Sequence, residues 1–348
     1  MLLVRVEDSD GAVGWGEVWC NFPAVGIEHR TRLVESVIAP LLRDAGANDA
    51  TSIFDMLVKR THVLAIQSGE PGPLAQCIAG IDCALWDLTA RRAGVPLYRL
   101  LGGKEPTLAV YASGINPDEP AVLAREMHDA GYRAFKLKVG FGLQRDVQNL
   151  RALRRELGGD CRLMVDANQG WELPQALEAI DALGEFTLEW LEEPLAADAP
   201  DSDWGALHAD SRIPIAAGEN LTSRAAFDAA ICGRSIDVIQ PDVTKWGGLS
   251  ACVPIARAAI AGGKRFCPHF LGGAIGLATS AHFLAGVGGD GRLEVDANEN
   301  PLRTFCDGPL AKVTNGTCTL GDVPGIGVEP DLGVLQNFVV LDRRVALA

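Results

Sequence analysis

Residues 134–169 read AFKLKVGFGLQRDVQNLRALRRELGGDCRLMVDANQ, and this stretch decides the fold. It begins and ends with short strand-like runs, AFKLKVG at 134–140 and RLMVDANQ at 162–169. Between them, DVQNLRALRREL places apolar residues at helical spacing. A strand, a helix and a second strand in this order predict a βαβ unit with parallel strands. Lys136 and Lys138 need a separate explanation, because an ammonium loses its hydration in an apolar run.

The same unit repeats from about residue 105 to residue 304. Six further strand-like runs alternate with helical patterns: TLAVYASGI (107–115), LEWLEEPL (188–195), PIAAGEN (214–220), IDVIQPDV (236–243), RFCPHF (265–270) and RLEVDAN (292–298). Eight strands with helices between them predict an α/β fold, a (β/α) barrel of the TIM type. No clear helix follows RLEVDAN, so we expect a modified barrel in which the last helix is absent or displaced.

Two other segments flank the predicted barrel. Residues 1–104 contain two strands joined by a turn at Asp10-Gly11 and two longer helical patterns, which predicts a smaller α+β domain. The tail, 305–348, is rich in Gly and Pro and ends in the strand-like FVVLD (338–342). We expect this tail to pack back on the N-terminal domain.

Composition excludes several classes of function. The net charge is −14 and no basic block occurs, which argues against nucleic acid as a partner. No apolar run approaches the length of a membrane span. The nine cysteines include no CxxC pair, which favours reduced thiols and a cytoplasmic protein. A hydrophobic content of 48% is ample for a large core. We expect a small-molecule substrate and a homo-oligomer, with no membrane partner.

One ionisable residue lies near the end of each of seven consecutive strands. These residues are Lys138, Asp166, Glu192, Glu219, Asp242, His269 and Glu294, with gaps of 28, 26, 27, 23, 27 and 25 residues. In such a barrel the carboxyl ends of the strands build the active site. Each residue alone has a simpler interpretation, such as a hydrated lysine, a core histidine, a solvated carboxylate in the Glu192-Glu193 turn or a glutamate paired with arginine. The shared register of all seven favours a functional centre.

Three of these residues predict a metal site. Asp166, Glu192 and Glu219 belong to three adjacent strands, and we expect no protein cation at the other strand ends close enough to neutralise all three. Converging carboxylates repel each other unless a cation lies between them. An all-oxygen set suits a hard cation, Mg²⁺ before Mn²⁺ or Ca²⁺.

Two candidate bases flank that site. Lys138 lies on one side and His269 on the other, and Asp242 is placed to orient the imidazole. Two bases across a metal suggest abstraction of a proton next to a carboxylate, with the metal stabilising the enediolate. We expect Lys136, on the same strand face as Lys138, to lower the pKa of Lys138 by repulsion between like charges. Both lysines would then point into the barrel mouth, and their apolar neighbours would point at the helices.

The motifs together resemble those of the enolase superfamily, and within it the mandelate racemase subgroup. The matching motifs, in chain order, are KLK (136–138), VDAN (165–168), EEP (192–194), GEN (218–220), QPDVTKWGG (240–248), PHF (268–270) and LEVD (293–296). The resemblance implies an α+β capping domain on a (β/α)7β barrel, with Mg²⁺ on the three carboxylates. It implies Lys138 as one acid/base and the His269–Asp242 dyad as the other.

Further roles follow only from the resemblance. Glu294 would hydrogen-bond the substrate carboxylate or enolate, and Asn168 would lie near the metal and the substrate. Some subgroups carry lysine at position 242, so Lys245 in this chain is expected to have a supporting role. Members of the family usually begin with one more strand than is found here, and we expect the capping sheet to lack it.

Three reactions are compatible with these residues: dehydration of a hydroxy acid or acid sugar, racemisation or epimerisation of an α-substituted acid, and ligand binding without catalysis. Dehydration is favoured, because it is the commonest activity in the resembled subgroup, and no catalytic position is missing. Specificity in this family lies in two loops of the capping domain. We expect these loops at 19–29 and 65–73, with Phe22 and Gln67 as substrate-binding candidates.

Overall fold

The computed structural model describes residues 1–43, 45, 49–306 and 312–347. Strands β1 (Leu2–Glu7) and β2 (Val13–Val18) form an antiparallel hairpin in the N-terminal domain. The helices that follow are α1 (Gly26–Leu33), which continues through a π-helical segment (Val34–Ile38) into α2 (Ala39–Arg43), then α3 (Ala50–Ser68), α4 (Pro71–Arg92) and α5 (Leu97–Leu100). The hairpin packs on α4, where Gly14 and Gly16 allow its backbone to approach the helix closely.

The predicted barrel is confirmed. Its eight strands are β3 (Thr107–Ile115), β4 (Ala134–Lys138), β5 (Arg162–Asp166), β6 (Leu191–Glu192), β7 (Ile215–Ala217), β8 (Val238–Ile239), β9 (Arg265–Phe266) and β10 (Arg292–Asp296). They are parallel, in the order β10-β3-β4-β5-β6-β7-β8-β9. The curl of the sheet brings its two ends together, where the Arg292 N–H donates to Cys267 Sγ at 3.4 Å.

Seven helices connect the eight strands. They are α6 (Pro120–Asp129), α7 (Leu143–Leu157), α8 (Leu173–Leu183), α9 (Asp201–Asp210), α10 (Arg224–Cys232), α11 (Gly248–Ala261) and α12 (Ala274–Val287). The first helix after β10 in the described residues is the four-residue α13 (Pro301–Thr304), so no full-length eighth helix follows the last strand directly, as the (β/α)7β prediction requires. None of the helices in the described ranges is long and apolar enough to cross a membrane.

The barrel interior is a packed layer below the site. One side chain from each of seven strand regions fills it: Tyr111, Ala134, Met164, Trp190, Ala216, Val238 and Cys267. The large rings of Tyr111 and Trp190 meet edge to face, with centroids 5.4 Å apart. Lys136 is 1% exposed, and its ammonium lies 5.5 Å from the Tyr111 ring centroid. The apolar layer therefore closes the barrel below the polar rim.

The C-terminal segment contacts both domains. Strand β11 (Thr317–Thr319) pairs antiparallel with β3 of the barrel. On the capping domain, Leu97 N–H donates to the Gly325 carbonyl at 2.7 Å, and Arg91 pairs with Glu329 at 2.7 Å. The remaining described elements are α14 (Leu332–Leu335) and a 3₁₀ turn (Gln336–Phe338).

Two local predictions in these regions are wrong. FVVLD (338–342) forms no strand, because the described chain offers it no partner strand, and Val339 and Val340 are exposed. The predicted loop at 65–73 is mostly helical, since α3 continues to Ser68 and α4 begins at Pro71. Part of the predicted tail, 307–311 and 348, lies outside the described residues.

Candidate active site

All seven strand-end residues of the sequence analysis lie at the carboxyl-terminal edge of the barrel. Lys138, Asp166 and Glu192 are the last residues of their strands, and in the strand register Asp166 faces both of the others. Glu219, Asp242 and His269 lie two or three residues beyond theirs, and Glu294 lies within β10. The residues meet in one network of contacts, which we call the rim cluster.

Lys136 lies at the bottom of the rim cluster. Its ammonium donates to Glu192 Oε1, lies 2.7 Å from Glu294 Oε1 and lies 3.7 Å from Asp166 Oδ2. Burial disfavours the charged amine, but the carboxylates of Glu192 and Glu294 outweigh it and raise the pKa of Lys136 well above its usual value. The buried lysine is therefore an ammonium that links its own strand, β4, to three other strands of the barrel.

Lys138 is the more accessible lysine of the pair. Its ammonium donates to Asp166 Oδ2 and to Asn168 Oδ1, each at 2.6 Å. Its side chain is 15% exposed, and it lines a cavity of about 430 Å³ at the barrel mouth. The alternation predicted for AFKLKVG is present, because Phe135 and Leu137 are buried in the core outside the barrel. The predicted influence of Lys136 on the pKa of Lys138 stays a prediction.

His269 is held by a carboxylate on each ring nitrogen. Its Nδ1 lies 2.8 Å from Asp242 Oδ2, which is the predicted pairing, and its Nε2 contacts Glu219 Oε2. The other oxygen of Asp242 accepts from the N–H and hydroxyl of Thr244, at 2.8 and 2.7 Å, so the carboxylate is fixed. Burial disfavours the imidazolium, but Glu219 and Glu294 outweigh it and raise the pKa of His269 well above its usual value.

Glu219 also belongs to a second polar group, which it forms with Glu193, Asn220 and Lys245. Lys245 Nζ lies 3.3 Å from Glu219 Oε1 and donates to Asn220 Oδ1 at 2.7 Å. Asn220 Nδ2 donates to Glu193 at 2.9 Å and to Glu219 at 2.9 Å. Burial and the charge of Glu219 raise the pKa of Glu193 to about 8. Glu193 is 2% exposed, so the interpretation of a solvated carboxylate in this turn is wrong.

Glu294 is fixed at the bottom of the cluster. Its Oε1 accepts from the hydroxyl of Ser113 at 2.5 Å, and its Oε2 accepts from the Phe270 N–H at 3.0 Å. Burial disfavours the carboxylate, but Lys136 and His269 outweigh it and lower the pKa of Glu294 to about 2. Its partner is therefore a lysine, and the alternative of an arginine partner is wrong.

The rim cluster is acidic overall. Together with the second polar group, the described residues in it contribute six carboxyl side chains against three lysines and one histidine: Asp166, Glu192, Glu193, Glu219, Asp242, Glu294, Lys136, Lys138, Lys245 and His269. Burial raises the pKa of Glu192 to about 7, although Lys136 opposes the shift. A divalent cation would complement this excess of carboxyl groups, and the all-oxygen donors suit Mg²⁺.

The arrangement of the three predicted ligands differs from the prediction. No three His, Cys, Asp or Glu side chains in the described ranges are arranged to hold a metal ion. Among the described residues no single protein cation contacts all three carboxylates, but several protein cations together contact each of them. Lys136 contacts Asp166 and Glu192, and His269 and Lys245 contact Glu219, because buried carboxylates take the nearest cations. The metal site itself stays a prediction.

The two capping-domain candidates do not line the cavity at Lys138. Phe22 is 72% exposed, and its ring lies tilted against that of Trp19, with centroids 5.8 Å apart. Gln67 lies exposed on α3, in the stretch that was predicted to be a loop. From the predicted loop 19–29, Asn21 reaches the cavity instead. Roles for Phe22 and Gln67 in substrate binding stay predictions.

Sequence reasoning missed several supporting residues. Gln240 Nε2 and Trp190 Nε1 both donate to Glu192 Oε2, at 2.7 and 3.0 Å. Asn220 links Glu193 to Glu219, as described above. Two of these residues lie inside quoted motifs, Gln240 in QPDV and Asn220 in GEN, so the motifs contained the signal. The side-chain directions that make the contacts could not be read from the sequence.

The fold and the rim cluster define a class of proteins: (β/α)7β barrels with a capping domain and carboxylates, lysines and a His–Asp pair on the strand ends. Residues 119–334 match the family model of enolase C-terminal domain-like proteins. Residues 1–102 match the model of the mandelate racemase/muconate lactonizing enzyme N-terminal domain. The chain belongs to the enolase superfamily, in its mandelate racemase/muconate lactonizing enzyme group. The predicted family is confirmed.

Named relatives cover nearly the whole chain. It is 34% identical to a 3,6-anhydro-alpha-L-galactonate cycloisomerase of Streptomyces coelicolor, over 98% of this chain and 91% of the relative. It is 28% identical to an arabinonate dehydratase of Saccharolobus solfataricus, over 97% of this chain and 90% of the relative. The prediction of an enolase-superfamily enzyme is confirmed. Cycloisomerisation is an activity that the sequence analysis did not consider.

Solved structures agree with this membership. A mandelate racemase/muconate lactonizing enzyme from Bordetella bronchiseptica RB50 superposes with a TM-score of 0.93 at 56% identity, over 96% of this chain and 93% of that one. A racemase from Streptomyces coelicolor A3(2) with bound magnesium superposes with a TM-score of 0.84 at 32% identity, over 96% of this chain and 90% of that one. Magnesium binding therefore occurs within this family.

Proposed function

We propose that the protein catalyses Mg²⁺-dependent elimination of water from an acid sugar, and that the reaction begins with removal of the proton next to the carboxylate. The observation that carries this choice is the difference between the two candidate proton carriers. Lys138 lines the cavity, whereas His269 is buried and faces a carboxylate with each ring nitrogen. Racemisation requires each carrier to act as a base in one direction and as an acid in the other. The carboxylates around His269 raise its pKa and favour its protonated form, and so favour a role as acid alone.

Asp166, Glu192 and Glu219 would hold the Mg²⁺, which supplies positive charge to the carboxylate oxygens of the substrate. The excess of carboxyl groups in the rim cluster supports this proposal, and so does the raised pKa of the buried Glu192, about 7, because a bound cation would favour its charged form. The magnesium in the Streptomyces structural relative supports it as well.

Lys138 is the proposed base for the first step. In its neutral form it would take the proton from the carbon next to the carboxylate. Asp166 and Asn168 hold its amine at the cavity wall through the two bonds of 2.6 Å. Holding a base in place removes part of the entropic cost of the reaction. The electron pair of the broken C–H bond passes into the enediolate form of the substrate carboxylate.

His269 is the proposed acid for the second step. The enediolate collapses, the bond to the hydroxyl on the next carbon breaks, and His269 gives its Nε2 proton to that oxygen, which leaves as water. The enol product then becomes a 2-keto-3-deoxy acid. Asp242 keeps the ring oriented through Nδ1 and stabilises its protonated form.

A panel of acid sugars with Mg²⁺ tests this function. We expect at least one aldonic or aldaric acid to yield a 2-keto-3-deoxy acid, detected as its hydrazone. Lys138→Ala should lower this activity by roughly 10²–10⁴-fold, the usual contribution of a general base. Lys59→Ala, on the exposed face of α3, is the matched control and should match the wild type. Epimerisation without a keto product would contradict the proposal and assign a racemase.

Cycloisomerisation is a second candidate, because of the 34% identity to a cycloisomerase over 98% of the chain. It would share the first step at Lys138. The leaving oxygen would then belong to a ring of the substrate rather than to a free hydroxyl, and the ring would open without loss of water. Lactones and anhydro acids in the same panel separate the two, because their ring-opened products keep the mass of the substrate.

A further inference from the structure

The cavity beside Lys138 has an unusual lining. Four asparagine side chains face it: Asn21, Asn116, Asn298 and Asn300. Asn21 comes from the capping domain, Asn116 follows β3, and the other two follow β10. Three separate parts of the chain therefore bring amides to one space of about 430 Å³, directly beside the proposed base.

The protein itself holds three of these amides in place. Asn298 Nδ2 donates to Asp296 Oδ1 at 2.7 Å and to the Gly114 carbonyl at 2.9 Å. Asn300 caps α13 by accepting from the Leu302 N–H at 3.0 Å. Asn21 Nδ2 donates to the Leu271 carbonyl at 3.0 Å. Side chains fixed in this way lose little entropy when a ligand binds.

Two amide oxygens remain available to a ligand. In the described part of the chain, Asn21 Oδ1 and Asn116 Oδ1 accept no hydrogen bond. Asn116 Nδ2 makes only one long contact, 3.4 Å to Asn298 Oδ1. Hydroxyl groups both donate and accept, so they match amides that offer one oxygen and spare N–H groups.

The charges of the lining point to a neutral ligand segment. Asp296 is paired with Arg303 at 2.9 Å, and Arg303 also donates to the Asn298 carbonyl, so this ion pair is satisfied. Lys138 is the single cation that lines the cavity in the described residues, and Asp166 holds it. A second carboxylate in this space would find no free cation, and an unpaired charge is costly to desolvate.

We propose that the four asparagines form a subsite for the neutral hydroxylated chain of the substrate, beyond the carbon that loses its proton. The preferred substrates are then monocarboxylic acid sugars, and dicarboxylic ones are disfavoured. This inference rests on the proposed function, because it assumes that the substrate carboxylate lies at the rim cluster. It goes further by stating what lies at the other end of the substrate.

Direct binding tests the subsite separately from turnover. D-galactonate and galactarate differ only at the far end of the chain, as do D-gluconate and D-glucarate. Calorimetric titration of the Mg²⁺-loaded protein with both pairs should show at least one monoacid binding roughly tenfold or more tighter than its diacid partner. Asn116→Ala should weaken the binding of that monoacid roughly 3- to 10-fold, as expected for the loss of hydrogen bonds to a neutral group. Asn337→Ala, remote and exposed, is the matched control.

A gain of charge provides the converse test. Asn21→Arg would add a free cation to the cavity wall and should shift the preference toward the diacid by roughly tenfold. The subsite proposal is wrong if the wild type binds both diacids as tightly as the monoacids or more tightly. It is also wrong if Asn116→Ala binds the monoacid as the wild type does, or if none of the four acids binds. Tight, asparagine-dependent monoacid binding without elimination would refute the proposed reaction and leave the subsite intact.

Discussion

The imidazole of His269 sits between two carboxylates that differ in their surroundings. Asp242 is buried and fixed by Thr244, whereas Glu219 is also shared with Lys245. Asp242 is thus the permanent partner of the ring. The 2.8 Å between Asp242 Oδ2 and His269 Nδ1 is a normal length for a hydrogen bond. Glu219 is the partner that the proposed metal would take.

Asp242→Asn tests the role of this partner. The change keeps the size of the side chain but removes the charge that stabilises the protonated imidazole. We expect turnover to fall roughly 10²–10⁴-fold, the usual size of a general acid contribution, with the fold retained. Steady-state kinetics and circular dichroism provide the measurement. Wild-type turnover in this variant would remove Asp242 from the mechanism.

At the scale of elements, the strand ends were predictable and the loops were not. A parallel barrel delivers the end of each strand to one rim, so spacings near one βα unit located Lys138, Asp166 and Glu192. The cavity-lining asparagines lie in loops, where no periodicity fixes a side-chain direction. The helical form of residues 65–68 was missed as well, because Gly69 ends α3 later than the turn residues suggested.

Helix α12 contains a buried histidine that should make the fold sensitive to acid. His282 Nδ1 accepts from the Tyr98 N–H at 3.1 Å, and burial lowers the pKa of His282 from 6.5 to about 4. As the pH falls below about 6.5, the unfolded imidazole takes a proton before the folded one does. The stability is therefore present above pH 6.5 and is lost as the pH falls toward 4.

His282→Asn isolates this effect. The amide oxygen of asparagine can replace Nδ1 as an acceptor, but it does not titrate. Between pH 6.5 and pH 4, the free energy of unfolding of the wild type should fall by about 3 kcal/mol more than that of the variant. This figure follows from the difference between the pKa values of His282 in the unfolded and folded states. Urea unfolding at several pH values measures the free energy of unfolding of both proteins. Parallel pH profiles would show that His282 does not contribute to acid sensitivity.

At the scale of the whole molecule, the capping domain is attached to the loops that carry the His–Asp pair. The buried Glu17 of β2 accepts from the Gly273 and Gly276 N–H groups, at 2.7 and 2.9 Å, where α12 begins. The Trp19 N–H donates to the Thr244 carbonyl at 3.2 Å, next to Asp242. A carboxylate also interacts favourably with a helix N-terminus. The capping domain therefore helps to position the loops that carry Asp242 and His269.

Glu17→Gln should weaken this attachment. One oxygen is replaced by an NH₂ group, which would face a backbone N–H, so at least one hydrogen bond is lost. We expect the free energy of unfolding to fall by about 1–3 kcal/mol. Urea unfolding measures the change, with Glu178→Gln, at an exposed position of α8, as a control. Equal stability in the two variants would argue against the attachment.

Mg²⁺ should stabilise the whole molecule through the three carboxylates. A ligand that binds only the folded state adds about 2.7 kcal/mol at 100 times its Kd. Thermal unfolding with and without Mg²⁺ should therefore show a higher midpoint with the metal in the wild type. The rise should disappear in Glu219→Gln and persist in Asp198→Asn, an exposed control. A rise that survives Glu219→Gln would place the metal elsewhere.

Exchange of the substrate α-proton in heavy water tests the central claim most directly. The comparison is between the wild type, Lys138→Ala and His269→Asn on any substrate that is turned over, with deuterium incorporation and keto product measured together. We predict that Lys138→Ala loses both exchange and product, whereas His269→Asn loses product and keeps exchange, because the two residues serve successive steps. If both variants exchange and turn over like the wild type, the assignment of base and acid to Lys138 and His269 is wrong.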